Sequence, residues 1–129
     1  MMDKNELIPR NKFDYKSVEK LKKENKETIV QVLPQLLESL QDMNWPIAQD
    51  IEDLLIDYGH LLIPHIRAVL NSNDGGWKWS LLYGLINRLS TQELSELRTD
   101  LERMKYHPTQ DEVDEELTGK IDELLAKFL

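Results

Sequence analysis

A chain of 129 residues, 40% hydrophobic and 31% charged, holds enough material for one compact domain with a real core and too little for two. It has no cysteine, which excludes disulfides and thiolate chemistry. Residues 1–26 carry eight basic against five acidic side chains and the other 103 carry eight against nineteen, so a body of −11 within a net −8 argues against nucleic acid as a partner.

The basic start reads as a solvated first helix; contact with an acidic partner or lipid headgroups is the other reading. No apolar run approaches the roughly 20 residues that span a bilayer. Met1-Met2-Asp3-Lys4-Asn5-Glu6 lacks the apolar stretch of a secretion signal. A soluble, cytoplasmic protein is expected.

Residues 1–13, with Ile8-Pro9 and Phe13, read as an extended leader capping the first hairpin. Asp14 suits the N-cap of a short helix to about Glu24, with Val18 and Leu21 inward. Asn25 caps the next helix, in which Ile29, Val32, Leu33, Leu36, Leu37, Leu40 and Met43 form one apolar stripe. Pro34 should kink or split it, because proline has no N–H and its ring clashes with the preceding turn.

Asn44 suits a left-handed helix end and Pro46 the first position of the following helix. Ile47, Ile51, Leu54, Leu55 and Tyr58 line one face of that helix, and Gly59 ends it. Leu62, Ile63, Ile66, Val69 and Leu70 point inward from the next, before a loop over Asn71-Ser72-Asn73-Asp74-Gly75-Gly76. A third hairpin starts at Trp77 and buries Trp79, Leu82, Leu85, Ile86 and Leu89. Ser90-Thr91-Gln92-Glu93 is a capping box opening a helix with Leu94, Leu97, Leu101 and Met104 inward. Thr109-Gln110-Asp111-Glu112 is a second, opening a closing helix with a Val113, Leu117, Ile121, Leu124, Leu125, Phe128 stripe. Acids at its start and Lys127 near its end agree with the helix dipole.

Leu33-Pro34-Gln35-Leu36 with Leu40 is echoed by Ile63-Pro64-His65-Ile66 with Leu70. A shift of about 31 residues lays Ile51 on Leu82, Leu55 on Ile86, Ile66 on Leu97 and Leu70 on Leu101. A period of that length with helical patterning inside it is the mark of stacked helical hairpins. The fold class expected is all-α, an α-α superhelix of the HEAT or armadillo kind with about seven helices. Its hairpins fall at about 14–43, 46–71 and 77–105, closed by a cap helix at about 110–128.

Catalytic signatures are missing. There is no dinucleotide or phosphate-loop glycine pattern, and His60, His65 and His107 form no His-x-x-x-His pair. Asp50, Asp53 and Asp57 share a face that reads as solvated acid, and the Asp111–Glu116 run lacks the glycine of a calcium loop. No metal and no cofactor are expected. The tryptophans stand out instead. Trp45 occupies a place where a helix wants an oxygen-bearing cap, so it either packs against something or contacts something. Trp77 and Trp79 follow the equivalent turn one repeat on. The candidate binding residues are Trp45, Trp77 and Trp79 on one edge, with Gln35, His65 and Glu96 in matching columns of the concave face. The competing reading makes the tryptophans wedges between hairpins.

Glu6-Leu7-Ile8-Pro9, the stretch Leu37 to Ala48 containing Asp42-Met43-Asn44-Trp45-Pro46, and Leu62-Ile63-Pro64-His65-Ile66 resemble an uncharacterised family of small bacterial proteins, a domain of unknown function. Trp77-Lys78 after an Asn-Asp loop is similar to it as well. The resemblance implies a helical-repeat fold and assigns no catalytic residue. The residues favour a non-enzymatic module binding a protein partner, possible forms being an inhibitor or immunity-type protein. The alternative is an enzyme or a small-ligand or nucleobase-binding domain with a tryptophan-lined pocket.

Overall fold

Capping chemistry opens several of the helices where the sequence places it. The computed structural model describes residues 4–129, so the first three residues of the leader lie outside the described residues. Asp14 Oδ1 accepts from Ser17 N at 3.2 Å and starts α1 (Tyr15–Lys22). Asn25 Oδ1 accepts from Thr28 N at 2.9 Å and starts α2 (Lys26–Val30). Ser90 and Glu93 exchange bonds of 3.1 and 3.0 Å at the start of α7 (Thr91–Ser95). The remaining helices are α3 (Leu33–Glu38), α4 (Ala48–Leu55), α5 (Gly59–Leu70), α6 (Gly75–Tyr83), α8 (Arg98–Tyr106), α9 (Gln110–Asp114) and α10 (Thr118–Leu125). Among the described residues there is no strand. None of their helices is long and apolar enough to cross a membrane.

Three of the expected helices are each broken in two, for different reasons. Pro34 separates α2 from α3, with short-range turns such as Val32 N to Ile29 O (3.0 Å) in place of the helical ladder. Between α7 and α8, Arg67 Nη2 takes the Glu96 carbonyl at 2.6 Å and draws it away from the helix ladder. Between α9 and α10, Glu116 adopts a left-handed conformation with φ 55°. Leu117 N then reaches back to Glu112 O at 3.3 Å and Glu116 N to Val113 O at 3.0 Å, the paired bonds of a Schellman stop.

Several local expectations fail. Pro46 does not take the first position of the following helix, which opens at Ala48 with Ile47 before it. Asn44 is not left-handed, since Glu116 is the only non-glycine with positive φ among the described residues. Asp42 shapes that turn instead, accepting from Asn44 N at 2.9 Å through its side chain and from Trp45 N at 3.1 Å through its carbonyl. Gly75-Gly76 is helix rather than loop, because Asp74 caps α6 through Trp77 N at 3.0 Å. Gly75 is there for closeness: a Cβ on it would stand 2.7 Å from the Asp111 carbonyl oxygen of α9.

The buried residues form one cluster running from Leu7 to Leu124. α1 packs on α4, α3 on α5, α5 on α6 and α7, α6 on α9 and α10, and α8 on α10. The paired positions Ile51 and Leu82, Leu55 and Ile86, Ile66 and Leu97, and Leu70 and Leu101 are all fully buried, at 0% exposure. Each contributes roughly 1.5–3 kcal/mol of burial. Pro34 and Pro64 are less alike, the first opening α3 and the second lying inside α5. In α9 the expected inward residue Val113 is 52% exposed, whereas its neighbour Glu112 is buried.

Two stability outcomes follow. Glu116→Gly should raise stability by about 1 kcal/mol, the cost a side chain incurs in the left-handed region, as read by urea denaturation. Truncation after Pro108 strips α9 and α10 from α6 and α8 and uncovers the buried Leu101 and Met104. The truncated chain should be insoluble or lose its cooperative transition; a soluble protein with a single sharp transition would show α9 and α10 dispensable.

Candidate binding groove

α3 buries Leu33, Leu36 and Leu37 and turns Pro34, Gln35 and Glu38 outward. Two clefts flank this exposed edge and share Glu38. The first, of about 210 Å³, lies toward α5 and α6, floored by Leu37 and Val69, with Ala68, His65 and Trp77 in its wall. The second, of about 180 Å³, is formed by Gln35, Trp45, Ile8 and Pro9. Four of the six residues singled out from the sequence thus line clefts that meet at Glu38: His65 and Trp77 in one, Gln35 and Trp45 in the other.

The other two sit elsewhere. Trp79 stacks on Tyr83 within α6, ring centroids 4.7 Å apart, and it is the Tyr83 ring that meets α10, 5.1 Å from Lys120 Nζ. Glu96 lines neither cleft; its carboxylate meets His60 Nδ1 and its carbonyl meets Arg67. Asp50, Asp53 and Asp57 line a third, mixed-charge cleft with Lys22 and Lys26. Hydrogen bonds from Arg88, the larger influence, and Gln49 hold Asp53 below the usual carboxylate pKa. No group of side chains among the described residues suits a metal ion.

Trp77 Nε1 is the one buried side-chain polar atom without a partner among the described residues. An enclosed, unpaired donor costs about 1–3 kcal/mol, and this one belongs to a residue that also lines the cleft. The side chains of Glu38 and His65 make no hydrogen bond or ion pair among the described residues. Trp45 and Trp77 are both half-buried and packed against the core, so each has a structural share as well as an accessible one.

What holds Trp77 in place is its neighbour. Lys78, fully buried at 0% exposure, donates from Nζ to Asp111 Oδ2 at 2.7 Å and to Glu112 Oε2 at 2.8 Å. Arg103 grips Glu112 with two bonds of 2.6 and 2.8 Å and reaches the Leu70 carbonyl at 3.1 Å. Thr109 N adds a bond to Glu112 Oε1 at 3.0 Å. One cluster therefore clamps α6, α8, α9 and the end of α5. Burial pushes the Glu112 carboxyl up, but Arg103, Lys78 and the Thr109 amide outweigh it and leave its pKa lowered. Asp111 is lowered in the same way, burial being overcome by Lys78 and Thr109. The Glu112 bonds raise Arg103 against its desolvation.

None of these four charged residues stands out as a site in the sequence. The available signal is that Lys78 precedes the buried Leu81, Leu82 and Leu85 by three, four and seven residues, which is the core phase of α6.

The family model for a domain of unknown function, DUF5071, matches residues 7–125, and the chain belongs to this family. Comparison with curated proteins finds no match.

Removing Lys78 leaves two desolvated carboxylates short of a cation, so Lys78→Met should cost about 3–5 kcal/mol in chemical denaturation. Because Asp111 and Glu112 titrate lower when folded, their stabilisation is complete above the ordinary values of 3.8 and 4.5 and is lost as pH falls through the folded values. Stability should therefore drop steeply below about pH 4, and Glu112→Gln should flatten that acid limb while lowering stability at neutral pH. Trp77→Phe, which deletes the unpaired donor and keeps most of the ring, should change stability by less than about 1 kcal/mol. Trp45→Ala should cost about 2 kcal/mol, midway between a buried aromatic and a surface side chain.

Proposed function

We propose that the chain is a non-enzymatic binding module that holds a segment of a partner protein in the groove across α3. The observation that carries this reading is an apolar cleft walled by Trp77, a residue whose enclosed Nε1–H has no partner among the described residues. Among the described residues the other buried side-chain polar atoms are paired, as Lys78 and Glu112 illustrate, so an unmet donor on a residue that lines an open cleft favours an occupant from outside. Scale favours a protein over a small molecule. A cleft of about 210 Å³ is below the roughly 300–1,000 Å³ of ordinary ligand pockets and suits one inserted side chain. Half-buried tryptophans in both clefts supply the aromatic anchors that dominate protein interfaces.

The same proposal takes the helices as successive hairpins stacked into a HEAT-like α-α superhelix. Its support is the register of the polar contacts. Arg67 to Asp100, Lys78 to Asp111 and Lys120 to Asn87 each span 33 residues, and Arg88 to Glu52 spans 36. Contacts repeating at about one hairpin length are what neighbouring repeats make. A cytoplasmic setting fits the cysteine-free composition, and an inhibitor of the partner is one form such a module takes.

Ala68 is exposed and lines the first cleft, so Ala68→Arg fills it without touching the core. Affinity capture from the native cell, followed by purification of the captured protein and calorimetry, should give a saturable complex with the wild-type chain. Ala68→Arg should weaken it by tenfold or more, about 1.4 kcal/mol, while Gln92→Arg on α7 should leave it unchanged. Equal affinity for all three proteins would place the partner surface elsewhere.

A further inference from the structure

We infer that the cleft between Glu38 and Trp77 receives a lysine or arginine side chain of the partner. Its aliphatic stem lies along Leu37, Val69 and the indole, and its cationic head meets Glu38. This rests on the groove being the partner surface. The argument is one of charge complementarity. Among the described residues no lysine or arginine lines either cleft that shares Glu38. In two other clefts the chain supplies its own cations: Lys105 meets Asp122 and Arg98 meets Glu102 in one, and Lys22 and Lys26 lie among the aspartates in another. Glu38 is thus an exposed carboxylate at the junction of two clefts that hold no cation of the chain's own, so a basic group from outside meets no competitor there.

Three further features fit a basic side chain. An apolar floor beneath a charged mouth matches the build of lysine and arginine, which bury a hydrocarbon stem and keep the head at the surface. An indole in the wall offers its ring to a cation. The body of −11 draws basic segments toward the molecule before contact. A carbonyl oxygen of the same partner segment is the acceptor that the Trp77 indole N–H lacks once the ring turns toward it.

The test uses the full chain labelled with nitrogen-15 and follows the Trp77 indole resonance, assigned by its loss in Trp77→Phe. The probes are terminally blocked tripeptides with a central lysine, arginine, norleucine or glutamate between alanines, titrated to millimolar concentration. The lysine and arginine peptides should shift the indole resonance saturably, and the norleucine peptide should bind about fivefold more weakly. Glu38→Gln, at an exposed position outside the core, should bring the lysine peptide down to the norleucine level. Equal binding of lysine and norleucine peptides would assign the cleft to an apolar side chain and overturn the proposal. So would preference for the glutamate peptide, or no response to any probe. A shift that follows the protein's own concentration without peptide would assign the groove to a second copy of the chain and overturn it too. Loss of partner capture in Ala68→Arg with no peptide response leaves the groove as partner surface and removes only the cation. Peptide binding with partner capture untouched by Ala68→Arg overturns both.

Discussion

The lysine buried against Asp111 and Glu112 is the constraint on which the rest of this arrangement depends. Four charges of cancelling sign are joined there, Lys78 and Glu112 buried and Arg103 and Asp111 partly so. Desolvation works against them, and such a cluster is no stronger than a well-packed apolar core of the same volume. Its effect is directional. Apolar contacts tolerate small slides of one helix on another, whereas bonds of 2.6 to 2.8 Å to named oxygens do not. α9 is only five residues long and exposes Val113, so it has little hydrophobic grip of its own. The charges fix it, and Gly75 lets its backbone close on α6. The position of Lys78 in turn sets that of Trp77, one residue earlier on the same helix.

The molecule divides its polar groups into two populations. Those that join helices are satisfied: Ser80 Oγ donates to the Gln41 carbonyl and accepts from Met43 N, and Arg88 holds Glu52 and Asp53 together. Others on the surface have no partner among the described residues, and around α3 these include Glu38 and His65, beside the enclosed Trp77 indole. A carboxylate in contact with water needs no partner, so Glu38 alone would mean little. An enclosed indole N–H is different, since water does not reach it and the fold bears the cost.

The helices were legible because their signals are local. Asp14, Asn25 and Ser90 cap where side-chain chemistry places them, and the stripes from Ile29 to Leu40 and from Leu117 to Leu124 are buried as their spacing demands. Long-range events were not legible. Nothing near Glu96 in sequence announces that Arg67 will take its carbonyl, and a lysine between two tryptophans reads as surface until α9 arrives to neutralise it. Gly75-Gly76 misled for the same reason, as its purpose is the approach of a chain segment 36 residues away. The candidate site was half legible. Aromatic residues at turns drew attention to Trp45 and Trp77, but periodicity could not separate them from Trp79, whose ring is taken up by Tyr83.

Magnitudes indicate where selectivity in the groove must come from. An ion pair at an exposed carboxylate such as Glu38 gives about 0.2–1 kcal/mol, weakened further by salt. Burying the methylenes of a lysine or arginine stem gives about 0.8 kcal/mol for each one fully covered. Satisfying an enclosed donor recovers part of about 1–3 kcal/mol. The head group therefore chooses the charge of the side chain, while the stem and the carbonyl set most of the affinity. A single such insertion is too weak to hold a partner, because association first costs several kcal/mol of translational and rotational freedom. The second cleft, beside Trp45 and on the other flank of Glu38, supplies a further anchor point on the same edge. Two shallow subsites joined by one carboxylate favour an extended segment that reaches both over an isolated residue that fills one.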